Sequence, residues 1–241
     1  MTPRTNITLQ GKGGVGKSFC ASTLAQWLHS TGRKPVCIDT DPVNRTFSGY
    51  AALRVEHIKI MQDDEINSRR FDELVERISG TDEDVVIDNG SSSFVALSHY
   101  LLSNDVPAVL SSLGHPLVVH VVITGGQMLV DTMNGFAHVV QHFGDDASFV
   151  VWLNPFWGPI VHEGKSFEEM RAYTAVRDRV SAIIQVPRLK AETFGADLSS
   201  VLKARQTFAE AIAAPERSIM ERQRIKVIKD RLFEQLRTAA L

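Results

Sequence analysis

Short apolar runs rich in valine and isoleucine alternate along the chain with longer stretches in which apolar residues recur at helical spacing. Continuous apolar runs of this length are typical of strands that are buried on both faces of a parallel sheet. The pattern predicts strands at 5–10, 35–39, 84–88, 117–123, 149–153 and 182–186. It predicts helices at 17–31, 69–78, 93–102, 127–143 and 167–180, and two more from about residue 204 that are separated at Pro215.

This alternation of strand and helix predicts an α/β fold, a three-layer, doubly wound, mostly parallel sheet flanked by helices. The chain has 241 residues, 44% of them hydrophobic. We expect one domain spanning 1–241, because folds of this class often reach that length undivided. Ligands of such sheets bind at the carboxyl ends of the strands, so functional residues are sought there first.

The formal net charge is −2, with 26 Lys and Arg against 28 Asp and Glu. The chain as a whole therefore has no strong attraction to nucleic acid or anionic lipid, and any such binding must come from a local patch. No apolar run approaches the roughly 18 residues that a membrane-spanning helix needs, and residues 1–10 lack a signal-peptide pattern. We expect a cytoplasmic protein whose Cys20 and Cys37 are inert thiols of the core.

The segment from Gly11 to Ser18 reads Gly-Lys-Gly-Gly-Val-Gly-Lys-Ser and matches the phosphate-loop pattern G-x-x-x-x-G-K-[ST]. It lies where that loop must lie, directly after a predicted strand and at the start of a predicted helix. Lys17 is expected to reach the β- and γ-phosphates of ATP, and the Ser18 hydroxyl to bind Mg²⁺. The alternative is a plain glycine turn. The predicted nucleotide-binding residues of this segment are Gly11, Lys12, Gly13, Gly14, Val15, Gly16, Lys17, Ser18 and Phe19.

Lys12, early in this loop, makes the sequence Lys-Gly-Gly-Val-Gly-Lys-Ser, which resembles the deviant Walker A family of P-loop ATPases that includes ParA and MinD. The resemblance implies that Lys12 reaches across an ATP-bound homodimer to the phosphates of the partner, as an arginine finger does. Lys12, Lys17 and Asp41 are then the catalytic candidates. The alternative for Lys12 is an exposed lysine on the rim of the loop.

Three aspartates end predicted strands and are the acidic candidates. Asp39 and Asp41 form Asp-Thr-Asp-Pro after one strand, and Asp88 ends the Walker B-like run Asp-Val-Val-Ile-Asp. The resemblance implies that Asp39 helps to hold the hydration shell of Mg²⁺, that Asp41 orients the attacking water, and that Asp88 has an outer-shell role on the metal. A solvated turn before Pro42 is the alternative for the first pair.

Two further features concern the γ-phosphate and the base. Residues 89–93, Asn-Gly-Ser-Ser-Ser, depart from the Thr-Pro-Pro that is common in the family, so they serve either as a γ-phosphate sensor or as a helix N-cap leading into Phe94. Asn154 matches the family asparagine that reads the adenine edge, and Pro187 matches the proline that lines the base. The expectation of adenine over guanine depends on these two residues.

Within the family, iron-sulfur members need cysteines after the Walker B region, where this chain has none. Segments 41–48 and 67–74 resemble ParA-related proteins encoded by conjugative plasmids in their transfer or stability regions. This resemblance implies a slow, partner-stimulated ATPase that acts as an ATP-switched dimer in plasmid DNA transfer or maintenance. A P-loop small-metabolite kinase or ligase, and a nucleotide-binding scaffold that scarcely hydrolyses ATP, are the alternatives.

Two surfaces suggest partners other than a second copy of the chain. Binding to DNA, or to a DNA-bound or transfer-machinery protein, is suggested by a basic set for which an ordinary solvated face is the alternative: Arg188, Lys190, Lys203 and Arg205. Residues 217–237 carry seven basic and three acidic side chains, and Ile225, Ile228, Leu232 and Leu236 recur at helical spacing. Such a helix either lies on a membrane surface, as in MinD, or packs on its own domain, which is the more ordinary arrangement.

Overall fold

The computed structural model describes residues 2–63 and 65–239. Its strands are β1 (Thr5–Thr8), β2 (Val36–Asp39), β3 (Glu56–His57), β4 (Met61–Gln62), β5 (Glu65–Ile66), β6 (Val85–Asp88), β7 (Leu117–Thr124), β8 (Ala147–Asn154), β9 (Val161–His162), β10 (Lys165–Ser166) and β11 (Val180–Gln185). Seven of them form one sheet in the order β11-β8-β7-β1-β6-β2-β3, in which every neighbouring pair is parallel. The predicted doubly wound α/β fold is confirmed.

Helices cover both faces of this sheet. They are α1 (Lys17–Ser30), α2 (Arg70–Ser79), α3 (Phe94–Ser103), α4 (Val106–Ser112), α5 (Leu129–His142), α6 (Arg171–Thr174), α7 (Ala196–Lys203), α8 (Phe208–Ala213) and α9 (Ile219–Thr238). Buried side chains of α2 to α5 pack on one face, and those of α1, α7, α8 and α9 pack on the other. Consecutive strand residues point to opposite faces, so strands such as β6 and β8 contribute to both cores and are rich in apolar residues.

The predicted helix at 167–180 is wrong. The chain there forms a 3-10 turn at Phe167–Glu169, the four-residue helix α6, and a second 3-10 turn at Arg177–Arg179 before β11 begins at Val180. Buried Phe167 and Met170 produce helical spacing without a continuous helix. The Arg179 guanidinium donates to the carbonyls of Val140, Phe143 and Gly144 at the end of α5, which draws the chain out of helical conformation and into the sheet.

The sequence pattern also missed the edge strand β3. It has only two residues, Glu56 and His57, neither of them apolar, so hydrophobic periodicity carries no signal for it. It pairs in parallel with β2, and the His57 ring contacts the Asp39 carbonyl through Nδ1 at 3.1 Å. The strand therefore covers the edge of the sheet next to the acidic end of β2.

The two predicted C-terminal helices are present as α8 and α9, with Pro215 between them. The last two residues of the predicted tail, 240 and 241, lie outside the described residues. The four apolar side chains at helical spacing on α9 are buried against the domain: Ile225, Ile228, Leu232 and Leu236. Because this apolar face of α9 is buried in the domain core, it is not available to a lipid surface. Helix α9 therefore packs on its own domain, the more ordinary of the two arrangements considered above. Over residues 2–63 and 65–239, no helix is long and apolar enough to cross a membrane.

A buried polar chain crosses the centre of the sheet. His120 of β7 contacts the Asn6 side-chain oxygen of β1 through Nε2 at 3.1 Å, and its Nδ1 accepts from the Trp152 indole of β8 at 3.0 Å. Burial lowers the pKa of His120 from 6.5 to about 3, because the surrounding core penalises the charged ring. The folded protein therefore holds this histidine neutral.

We predict acid sensitivity from this histidine. The unfolded chain protonates His120 below about pH 6.5 and the folded chain only near pH 3, so stability is lost as pH falls through that window. The loss approaches about 1.4 kcal/mol per pH unit for one proton. Urea unfolding between pH 7 and 4 is expected to show a shallower pH dependence for His120→Gln than for wild type. The exposed His29→Gln is the control, and equal slopes for wild type and His120→Gln would contradict the assignment.

Candidate functional site

The glycine-rich segment connects the carboxyl end of β1 to the first residue of α1. Gly14 and Gly16 have φ of +73° and +106°, the left-handed region that side chains with a Cβ rarely adopt. Gly16 caps α1 without any side-chain hydrogen bond, so backbone N–H groups of the first helical turn are available to an anion. The Lys17 ammonium donates to the Lys12 carbonyl at 3.0 Å, which holds this lysine over the loop.

Residues that follow β8 pack directly on this loop. The Asn154 amide donates to the Val15 carbonyl at 2.8 Å, and the Trp157 indole donates to the Gly14 carbonyl at 3.2 Å. A Cβ on Gly16 would lie 2.9 Å from the Asn154 amide nitrogen, so glycine is needed there for this close approach as well as for its φ. In this arrangement Asn154 joins β8 to the phosphate loop, and its contact with a base stays a prediction.

Three polar side chains lie side by side at the carboxyl ends of β1, β6 and β2. Asp88 is paired in register with Thr8 on one side and with Asp39 on the other, and the Thr8 hydroxyl donates to Asp88 at 2.9 Å. Burial raises the pKa of Asp88 to about 7, and the charge of Asp39 adds to this, while hydrogen bonds from Ser18 and Thr8 and the charge of Lys17 oppose it. Ser18, Asp88 and Lys17 are therefore within electrostatic reach of one another, as the sequence predicts.

Lys17 is 8% exposed. Burial lowers its pKa, and the nearby charges of Asp88 and Asp41 raise it in part. A buried ammonium is stabilised by an anion that it contacts directly, and a phosphate group supplies such an anion. The lowered lysine pKa, the free N–H groups and the left-handed glycines together fit a polyphosphate.

Asp39 organises the segment that follows β2. One carboxylate oxygen accepts from the Asp41 N–H at 2.9 Å, and the other accepts from the Ser48 N–H and hydroxyl at 2.8 and 2.9 Å. Ser48 is a residue that the sequence analysis missed, because nothing in its neighbourhood marks a serine nine positions downstream as a partner of Asp39. The carboxylate retains further lone pairs for a metal-bound water, so its predicted magnesium role stays open.

Asp41 lies against the segment at 89–93. Its carboxylate accepts from the N–H groups of Val43 and Asn44 at 2.9 and 3.1 Å, and a Cβ on Gly90 would lie 2.6 Å from it. Gly90 is thus required for the close approach of two loops, which the sequence analysis did not foresee. The segment is held internally by Asn89, whose Oδ1 accepts from the hydroxyls of Ser93 and Thr40 at 2.8 and 3.1 Å.

Lys12 pairs with an acid of its own chain. Its ammonium lies 2.6 Å from the Asp131 carboxylate at the start of α5, and both side chains are about half exposed. The partner is another residue that the sequence analysis missed, since 119 positions separate the two. An exposed pair of this kind contributes little to stability, so Lys12 can exchange it for a phosphate at small cost.

A family model described as the CobQ/CobB/MinD/ParA nucleotide binding domain (CbiA) matches residues 7–213. The matched part covers the phosphate loop, the three aspartates, Asn154 and Pro187. The chain belongs to the CobQ/CobB/MinD/ParA nucleotide-binding family. The resemblance carried by Lys12 and the rest of the phosphate loop implied membership of this family.

Two relatives in Escherichia coli, each named Protein TraL, are 58% and 59% identical to this member of the CobQ/CobB/MinD/ParA family over 238 residues, which is 99% of this chain and 99% of each relative. The MinD cell division protein of Aquifex aeolicus has a TM-score of 0.54 at 15% identity, over 96% of this chain and 97% of that chain. A chain of the MinC:MinD cell division protein complex from the same organism has a TM-score of 0.54 at 14% identity, over 96% of each chain. At such identities the likeness to the solved structures shows the fold alone.

Few side chains of this CobQ/CobB/MinD/ParA chain are candidates for holding a metal ion. In the described part of the chain, no group of three or more His, Cys, Asp and Glu side chains is arranged to hold a metal ion. Mg²⁺ does not need such a group of side chains, because it keeps several waters and is held through one hydroxyl or carboxylate together with the phosphates of the nucleotide. Ser18, Asp39 and Asp88 are the residues that would do so.

The remaining predicted residues are Pro187, Phe19 and the basic set. Pro187 follows β11, is half-buried and faces the same cavity as Pro155. Phe19, in the first turn of α1, packs against the core on the α1 face. The basic set at 188, 190, 203 and 205 is exposed, and its binding to DNA stays a prediction.

Gly90 provides a test of the contact between the two acidic loops. In Gly90→Ala the new Cβ is expected to displace the Asp41 carboxylate while leaving the phosphate loop intact. ATP affinity should stay within about twofold of wild type, and phosphate release should fall at least tenfold, because transfer depends on the position of the water. Gly144→Ala is the control, since a Cβ there meets nothing within 4 Å. Unchanged hydrolysis by Gly90→Ala would show that Asp41 does not act from this position.

Proposed function

We propose that the chain is a cytoplasmic ATPase that acts as an ATP- and Mg²⁺-dependent dimerising switch in plasmid DNA transfer or maintenance. The observation that supports it most is the convergence of buried Lys17, Ser18 and Asp88 beneath a glycine loop, with Lys12 at the rim. Family membership supports nucleotide binding. The resemblance of segments 41–48 and 67–74 to ParA-related proteins of conjugative plasmids, and relatives named TraL that match over almost the whole chain, support the plasmid setting.

In this proposal the chain holds the triphosphate with the N–H groups at the start of α1 and with the Lys17 ammonium. Ser18, Asp39 and Asp88 would hold the metal, directly or through its bound water, and the metal would supply positive charge to the phosphates. Asp41 positions the attacking water, and Asp39 keeps Asp41 in place through its N–H. Hydrolysis is slow because one protomer lacks the cation that a partner's Lys12 brings.

The surface around the phosphate loop supports a second copy of the chain as the partner. Several exposed apolar side chains follow the carboxyl ends of β2, β6, β7 and β8 and so lie along one edge of the sheet. Phe156 is the most exposed of them, at 75%. The others are Val43, Val95, Val130 and Trp157. A surface that becomes buried between two copies of the chain needs apolar side chains, and this rim around the polar site supplies them.

Asp41→Ala tests the switch. The variant is expected to bind ATP with an affinity within about twofold of wild type and to stay dimeric after ATP is added, because the water is no longer positioned. Light scattering after size exclusion, with and without ATP, measures both states. Asp82→Ala, in an exposed turn, is the control and should return to monomer as ATP is consumed. If Asp41→Ala loses ATP binding, the role given to Asp41 is wrong.

The Lys12–Asp131 pair tests the cross-subunit role. Lys12→Ala should bind ATP but form at least tenfold less dimer, since the partner's phosphates lose a cation. Asp131→Asn frees Lys12 from its own chain and should shift the ATP-dependent dimer to lower protein concentration. Asp145→Asn, an exposed carboxylate beyond α5, is the matched control. A fully dimeric Lys12→Ala protein would refute the cross-subunit contact.

A further inference from the structure

The loop after β8 places a tryptophan side chain on the phosphate loop. Trp157 ends the 3-10 turn Pro155–Trp157, and its indole N–H donates to the Gly14 carbonyl at 3.2 Å. The side chain is 49% exposed and belongs to neither hydrophobic core. Packing of the core therefore does not account for its position against the phosphate loop.

The indole bond orients the peptide group between Gly14 and Val15. A peptide group is planar, and in the trans form its C=O and its N–H point in opposite directions. No cis peptide bond occurs in residues 2–63 and 65–239, so the Gly14 carbonyl and the Val15 N–H are antiparallel. Because the indole holds the carbonyl, the Val15 N–H points away from the loop after β8.

The next peptide group is held in the same way. The Asn154 amide donates to the Val15 carbonyl at 2.8 Å, so the Gly16 N–H also points away from that loop. Neither the Val15 N–H nor the Gly16 N–H has a backbone acceptor in the described part of the chain. Successive N–H groups beside the left-handed Gly14 and Gly16 form the kind of concave donor arrangement that binds anions.

The backbone that carries the indole is fixed by close contacts. A Cβ on Gly126 would lie 2.2 Å from the Trp157 carbonyl oxygen, so two backbone segments pack directly on each other there. The Gly158 N–H closes the turn on the Pro155 carbonyl at 3.1 Å. The Phe156 ring contacts the indole edge to face, with 5.1 Å between the ring centroids. The indole therefore has a defined position from which it can orient the phosphate loop.

We infer that Trp157 is a positioning residue of the triphosphate site: its indole holds the Gly14 carbonyl so that the Val15 N–H is directed at the phosphates. The inference rests on the proposed function, in which the loop at 11–18 binds the triphosphate, and adds to it a residue from outside that loop. Trp157 acts through the backbone of the loop and contacts neither the phosphates nor the base. Loss of its N–H should therefore weaken the binding of any polyphosphate, with or without a base.

Titration calorimetry of the full-length chain with Mg²⁺, using ATP and inorganic tripolyphosphate as separate ligands, tests the inference. Trp157→Phe keeps an aromatic ring and removes the N–H, so it is expected to weaken both ligands about fivefold, the effect of one lost hydrogen bond. Tyr100→Phe is the matched control, because it also removes one aromatic donor, the hydroxyl that bonds to Asp72 at 2.6 Å between α3 and α2. It should change neither affinity.

Three results would overturn the inference. The first is tripolyphosphate affinity of Trp157→Phe within twofold of wild type, which includes a loss confined to ATP, since that would make the indole a contact of the base. The second is a fall of more than about 2 °C in the melting temperature of the ligand-free variant, which would assign the weaker binding to general destabilisation. The third is binding of neither ligand by the wild-type chain, which would overturn the proposed function as well.

Amide NMR of the ¹⁵N-labelled chain gives a readout that a purely structural role of Trp157 would not change. At saturating tripolyphosphate, the Val15 amide proton of the wild-type chain is expected to move downfield, because the N–H donates to a charged acceptor. In Trp157→Phe, also at saturation, this shift should be smaller, whereas the Gly16 amide, oriented through Asn154, should shift as in wild type. An equal Val15 shift in the two proteins would overturn the role of Trp157 while leaving polyphosphate binding in place.

Discussion

Lys17 and Asp88 are buried within reach of each other's charge beneath the glycine-rich loop, and the rest of the site is arranged around them. Burial penalises both charged forms: it lowers the pKa of Lys17 and raises that of Asp88 to about 7. Phosphates favour the charged lysine, and a cation favours the charged aspartate. In the proposed function, binding of a metal–nucleotide pair is linked to the ionisation of both groups, and its affinity depends on pH.

The loops that surround this pair meet through close contacts that glycine makes room for. Gly90 admits the Asp41 carboxylate, Gly16 admits the Asn154 amide, and Gly126 would place a Cβ 2.2 Å from the Trp157 carbonyl. The segments after β2, β6, β7 and β8 thus touch one another or the phosphate loop at positions where the glycine contributes no side chain. Because little free space separates these segments, a displacement of one of them shifts the segments that it contacts.

Much of the fold followed from hydrophobic pattern, because strands buried on both faces are rich in apolar residues, as β2, β6, β7 and β8 are. The exceptions have identifiable physical causes. Strand β3 is too short and too polar to carry periodicity, and the apolar residues after Ser166 share helical spacing but bury themselves through separate turns. For α9 the sequence indicated an amphipathic helix, and the packing of Ile225 and Leu232 decided that its apolar face belongs to the core.

The sequence by itself determined the phosphate loop, the aspartates at the strand ends and the family, because these depend on residues close together in the chain whose chemistry is explicit. Tertiary structure alone decided which groups those residues meet: Ser48 for Asp39, Gly90 for Asp41, Asp131 for Lys12, and α9 beside Pro187. The physical reason is that parallel strands bring their carboxyl ends to one edge from positions far apart in the chain. Local pattern identifies each strand end, and only the order and register of the sheet determine which ends are neighbours.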